Sequence, residues 1–216
     1  MPPPPDRPAP DAQPAEPQPH RDPTEWGRLI ESLDAASVFV AIGSWLGPRL
    51  RAEIAVEDIW QETLWLSWRD REQHEWRGLS GFRIWLLSIA RNRVHDAGRN
   101  LGRQKRGGGR VTAPFSVIAE AESVSRMLPA GSTTPSRIAG HRERAVAMER
   151  ALDSLDDDLR RIVQLRLFEE LPMRQVAEQL GLPLSTAKEH LLRGVTRYGR
   201  RLRELLGNDS ADRGPR

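Results

Sequence analysis

Asp58 and Glu62 stand four residues apart in VEDIWQETLWLSW, residues 56–68. At that spacing two carboxylates share one helix face. Such a pair could serve as general acid and base, or hold a divalent cation, given a pocket and further ligands. No metal-spaced histidines accompany it: His20, His74, His95, His141 and His190 are isolated along the chain. There is no cysteine, which removes thiolate ligands, cysteine nucleophiles and disulfides. Gln61, Trp65 and Arg69 lie on the same face, opposite a stripe of Ile59, Thr63 and Leu66. A carboxylate–amide face with an exposed tryptophan suits docking on a partner better than catalysis. We expect no catalytic residue, no metal site and no cofactor.

The second chemical pattern is SIARNRVHDAGRN, residues 88–100. On a helix Leu86, Ile89, Ala90, Val94 and Ala97 point one way. Ser88, Arg91, Asn92, His95 and Arg99 point the other, with Arg93 and Asp96 on opposite flanks. Arginines can hold a nucleic-acid backbone, and an amide can read a base edge. Net charge is only +3, but the basic residues are concentrated. From Arg91 to Arg110 there are seven bases and one acid, and from Lys188 to Arg203 six bases and one acid. Two basic patches suit two contacts with one polyanion. They would equally suit two solvated surfaces, and charge alone does not choose.

The third pattern, LPMRQVAEQLGLPLSTAKEHLLRG at residues 171–194, reads as helix-turn-helix. Val176, Ala177 and Leu180 mark a short helix, and Gly181 supplies the turn. A longer helix follows with Leu184, Ala187, Leu191, Val195, Tyr198 and Leu202 on one stripe. Its other face presents Thr186, Glu189, His190, Arg193 and Arg197, flanked by Ser185 and Lys188. Arg174 on the preceding helix joins this set. The N-terminal side chains would enter the major groove, and the later arginines would hold phosphates.

The elements that position these residues are all helical, because nothing alternates with period two. Residues 1–23 contain ten of the seventeen prolines and read as a disordered tail. Asp22-Pro23-Thr24-Glu25 reads as a helix start. Helical spacing follows to Leu46, where Gly47-Pro48 interrupts it. Further helices are expected at about 55–68 and 79–99. All seven tryptophans lie between Trp26 and Trp85, marking residues 24–100 as one aromatic-rich domain. Residues 101–133, with RGGGR, read as a flexible linker, with a short helix near Ile118 to Met127. Helices at about 135–153, 157–168, 173–180 and 184–203 form a second domain over 134–207, and 208–216 reads as a second tail. The expectation is an all-α protein of two small helical domains. It has no run of about 18 apolar residues to span a membrane and no secretory signal pattern, so the cytoplasm is the expected compartment.

In this order, EDIWQETLWLSW, GFRIWLLSIARNRVHDAGR and the block from ALDSL to LPMRQVAEQLGLPLSTAKEHLLRG resemble a bacterial RNA polymerase sigma factor of the sigma-70 superfamily, in the small extracytoplasmic-function group that keeps regions two and four. The resemblance covers roughly residues 24–100 and 135–205. It implies a non-catalytic promoter-specificity subunit whose partners are core RNA polymerase and promoter DNA, both duplex and melted non-template strand. Asp58, Gln61, Glu62 and Trp65 would face the polymerase. Ser88, Arg91, Asn92, Arg93, His95 and Arg99 would meet the minus-ten strand, with Trp76 and Trp85 as candidate stacking platforms. Arg174, Ser185, Thr186, Lys188, Glu189, His190, Arg193 and Arg197 would meet the minus-thirty-five element. An anti-sigma factor is a further partner the family allows.

The chain departs from the family pattern in four places. Pro183 stands where a capping serine is usual, Gly98 where a larger residue is, and Glu189 and His190 where small or basic residues are. The alternative function is a stand-alone helix-turn-helix regulator, since STAKEHLLR also resembles response-regulator recognition helices. The EDIWQE and IARNRVHD blocks argue against it.

Overall fold

The Asp22 carboxylate accepts from the Thr24 amide at 2.8 Å, and Pro23 occupies the first turn, so the first helix starts where its cap dictates. The structure, a computed structural model, describes residues 18–104, 128–129 and 134–212. In the first half, α1 is Pro23–Ser32, α2 Ala35–Arg51, α3 Val56–Arg69 and α4 Gly78–Gln104. Helix α2 is bent at Gly47, whose φ of 61° only glycine adopts readily, and Pro48 begins the segment beyond it. In the second half, α5 is Pro135–Asp153, α6 Asp157–Val163, α7 Met173–Leu180 and α8 Leu184–Asp212. Thr134 caps α5, its hydroxyl accepting from the Arg137 amide at 3.3 Å. The protein is all-α, with no strand among the described residues.

Helix positions follow the sequence periodicity closely, but three boundaries move. The tail does not run to residue 23: His20 is fully buried, because its ring finds an aromatic slot against the first half. Residues 1–17 lie outside the described residues. Helix α4 continues past Arg99 to Gln104, and α8 continues to Asp212, beyond both expected domain ends. The expected helix at 118–127 falls outside the described residues. The expected helix over 157–168 is instead a short α-helix that widens into a π-turn at Gln164–Phe168.

Trp26, Trp60, Phe82, Leu64 and Leu86 centre the first half; Ile162, Leu165, Val163 and Val176 centre the second. The two sets join in one buried apolar cluster, with α2 packed against α5. The first half is thus seated on the second. No single described helix is long and apolar enough to cross a membrane. Helices α1 and α2 pass such a test only together, across a bend of 71°, and both turn their apolar residues into the core.

Gly98 lies inside α4, and a methyl group there would rest 3.6 Å from Leu50 Cδ1, an ordinary contact. Gly98→Ala is therefore expected to stabilise the protein by about 1 kcal/mol through helix propensity. Urea unfolding should show a raised midpoint at unchanged slope. A lowered midpoint would mean the contact with Leu50 is repulsive.

Candidate nucleic-acid interface

Helices α3 and α4 pack side by side. Their facing polar groups meet each other before they meet anything else. Arg93 donates to Glu62 Oε2 at 2.8 Å and to Asp96 Oδ2 at 3.1 Å. Asp96 also accepts from Arg99. Glu62 is only 8% exposed. The expected docking face therefore needs correcting at Glu62, which the helical wheel placed outward. The long guanidinium of Arg93 draws it into the α3–α4 seam. Arg93 is correspondingly a brace between helices rather than a free cation. Asp58 remains exposed at the start of α3, with Gln61 and Trp65 half-buried beside it. Desolvation pushes the Asp58 carboxyl above the usual carboxylate range. Among the described residues, no three acids or histidines cluster as metal ligands would.

The outer face of α4 presents Ser88, Arg91, Asn92, His95 and Arg99, all exposed. The Ser88 hydroxyl donates to the Trp85 carbonyl at 2.7 Å, which ties its proton to its own helix. The Arg91 guanidinium sits 5.8 Å from the Trp45 ring centroid, a cation–π contact that steadies it. Trp45 was not singled out from the sequence; it lies at the end of the apolar run in α2, where it reads as core.

Beside this face, the turn Arg71–Gln73 and the strand-like segment after it hold a group of rings. His20 stacks on Trp76 at 5.4 Å, nearly parallel, and His74 stacks on Trp85 at 4.3 Å. His20 and His74 are 5.2 Å apart edge to face, and Phe82 closes the group. The two histidines are remote in sequence and adjacent in space, so they are not isolated as the spacing implied. Nε2 of His20 bonds the His74 carbonyl at 3.0 Å. Arg21 reinforces the attachment by donating to the Glu72 carbonyl at 2.9 Å. Each candidate platform thus has one face covered by a histidine of this chain.

Burial lowers the pKa of both His20 and His74 from the ordinary 6.5. The unfolded chain then binds protons that the folded one refuses, so stability is complete above 6.5 and falls as pH drops below it. We expect the urea midpoint to fall between pH 7.5 and pH 5. His20→Gln should flatten part of that slope. An unchanged slope in the variant would show that other groups set it.

The second candidate surface is built on Gly181, whose φ of 65° turns the chain between α7 and α8. Val176, Ala177 and Ala187 are buried at the helix crossing. Pro183 begins α8 without a side-chain cap: its carbonyl accepts from the Ala187 amide at 2.9 Å, and the helix starts at Leu184. Arg174, Ser185, Lys188, Glu189 and Arg193 are exposed, and Thr186 and His190 half-buried. Arg197 is exposed and pairs with Asp156 Oδ2 at 2.8 Å. Leu192, also outward, is 70% exposed, the most of any large apolar residue described. Gly194 is buried against α6. A methyl group there would stand 2.6 Å from Val163 Cγ2 and 3.3 Å from the Leu159 carbonyl oxygen.

Residues 145–197 match the family described as Sigma-70, region 4. The match runs from the middle of α5 through the turn and the first half of α8, about a quarter of the chain. Searches of curated proteins and of solved structures return no match.

Proposed function

We propose that this chain is a promoter-specificity subunit of bacterial RNA polymerase, in the extracytoplasmic-function group of sigma factors. The observation that carries this reading is the sigma-70 region 4 match laid over a helix-turn-helix whose outer face exposes Ser185, Lys188, Glu189 and Arg193. The open polar face of α4 supports a second DNA contact, and exposed Asp58 with Gln61 supports a polymerase contact. In this reading α8 reads the minus-thirty-five duplex. Arg91, Asn92, His95 and Arg99 hold the melted minus-ten strand. Asp58, Gln61 and Trp65 meet core polymerase, which performs the chemistry. The units of this activity are residues 24–100 and 134–207, lengthened at their ends by His20 and by the longer α4 and α8, with the segment between them as tether.

The direct test is to combine the chain with core polymerase and map the transcription starts it directs. No new starts would defeat the proposal. Tight, sequence-specific duplex binding by the chain alone would favour a stand-alone regulator instead. Asn92→Ala is expected to relax preference at one promoter position, the loss of a base-edge contact being worth roughly 1–3 kcal/mol. Arg99→Ala should weaken binding evenly across sequences and flatten its salt dependence. If Asn92→Ala leaves promoter choice intact, the α4 face is merely solvated.

A further inference from the structure

The two histidines that cover Trp76 and Trp85 are held very differently. His74 lies on Trp85 at 4.3 Å and belongs to the segment between the Arg71–Gln73 turn and α4, so it is fixed on both sides. His20 lies on Trp76 at 5.4 Å, with the rings 7° from parallel, and belongs to a strap that precedes the Asp22 cap. Few bonds tie the strap down. Nε2–H of His20 donates to the His74 carbonyl at 3.0 Å, and Arg21 donates to the Glu72 carbonyl at 2.9 Å. Arg21 also pairs with the Glu72 carboxylate at 3.5 Å. Because Asp22 caps α1 through the Thr24 amide, His20 and Arg21 can lift without unwinding the helix. The packing around them is also poorly satisfied. His20 Nδ1, Arg21 Nε, His74 Nε2 and Arg71 Nε are all buried with no hydrogen-bond partner. Such a cluster calls for an explanation, since buried polar groups are nearly always paired.

We propose that His20 and Arg21 form a removable plug in a nucleobase slot, and that an unpaired base of single-stranded DNA displaces the His20 ring from Trp76. The setting rests on the promoter-subunit reading; the chemistry rests on the ring geometry. An imidazole is a flat nitrogen heterocycle, as a base is, and a parallel stack on an aromatic side chain is the contact that holds unstacked bases. Adenine, cytosine and guanine also carry amino groups that can replace the His20 N–H on the His74 carbonyl. The slot adjoins the polar face of α4, whose first residue, Ser88, is hydrogen-bonded to the Trp85 carbonyl. Arg21, Arg71 and Arg77 stand around it, each beside Glu72 or Glu75. Those acids neutralise part of the charge, so the base rather than its phosphate supplies the affinity here. The plug makes the slot selective. A base still stacked in a duplex must give up that stack and displace His20 as well, whereas an unpaired base has only His20 to displace. In the free chain the plug keeps the indole face from standing bare in water.

His20 reports its own displacement. In the full chain carrying ring-labelled histidine, its magnetic resonance signal is shifted by the Trp76 ring and is identified by its loss in His20→Gln. The probe is a single DNA strand of about ten nucleotides with 2-aminopurine at one position, each position being tried in turn. Adding the strand is expected to move the His20 signal to the value of an exposed histidine and to quench 2-aminopurine at one position. The same sequence as a duplex should do neither. His20→Ala should bind the strand about tenfold more tightly, since a slot closed ten times as often as open lowers apparent affinity by about that factor. In the His20→Ala chain, Trp76→Ala should then weaken binding about tenfold or more. With Trp76 already alanine, His20→Ala should change little, a coupling that a general loss of stability would not produce. Each variant is measured where circular dichroism shows it folded. Strand binding that leaves the His20 signal in place overturns the plug. So does a His20→Ala chain that binds no better than wild type, or a strand that binds neither. If the strand displaces His20 but the chain directs no transcription starts with core polymerase, the slot stands and the promoter-subunit reading fails.

Discussion

Glu62→Arg is expected to lower stability by up to about 3 kcal/mol, because it puts a cation in place of a buried acid and against the partly exposed Arg93, which keeps only Asp96 as a partner. Asp58→Arg, one turn earlier on the same helix, should leave stability nearly unchanged, since Asp58 stands exposed. The two reversals therefore separate packing from docking. Chemical unfolding should show a large loss for Glu62→Arg alone. Binding to core polymerase should be lost in Asp58→Arg while the fold persists, like charges across an interface costing several kcal/mol. Equal stability of the two variants would mean that the Arg93–Glu62 contact contributes little. Undiminished polymerase binding by Asp58→Arg would remove α3 from the proposed docking surface.

The contrast between these residues shows what could be read from the sequence. Helix positions were legible because caps and turns are local: Asp22 with Pro23, Thr134 with Pro135, and Gly181 each act within a few residues. A helical wheel also placed Asp58 and Glu62 on one side of α3. It could not see that Arg93, 31 residues on, would claim Glu62. His20 was hidden in the same way, since proline-rich composition says nothing about one ring that finds a slot against Trp76. The contact between the two halves was invisible for a different reason. The arginines of α5 and the acids they meet, Glu31, Asp34 and Glu57, read as ordinary solvated charges until the halves are brought together.

Gly194→Ala is expected to be the most damaging small change in the helix-turn-helix. The added methyl would press on Val163 Cγ2 at 2.6 Å and approach the Leu159 backbone oxygen at 3.3 Å. A side chain can yield, but the α6 backbone cannot do so cheaply. Overpacking of this kind costs about 1–3 kcal/mol. The functional loss should exceed the loss of stability, because Gly194 sets how closely α8 lies on α6 and so how its proposed DNA-facing side chains are aimed. Duplex binding to the minus-thirty-five element should fall even at temperatures where circular dichroism shows a folded chain. Wild-type binding in the folded variant would show that the crossing has slack. The neighbouring Gly199 has open space around it, so Gly199→Ala serves as the control.

The burial of His20 bears on where the chain can be cut. A protease that trims the proline-rich stretch and stops before Gln18 leaves every described contact in place. A cut only a few residues later removes a ring that is 0% exposed, strips one face of Trp76 and frees Arg21 from the Glu72 carbonyl. The first half would then present a bare aromatic slot to solvent. The last residues before α1 thus behave as a wall of the domain, and nicks on either side of Gln18 should yield fragments of quite different durability.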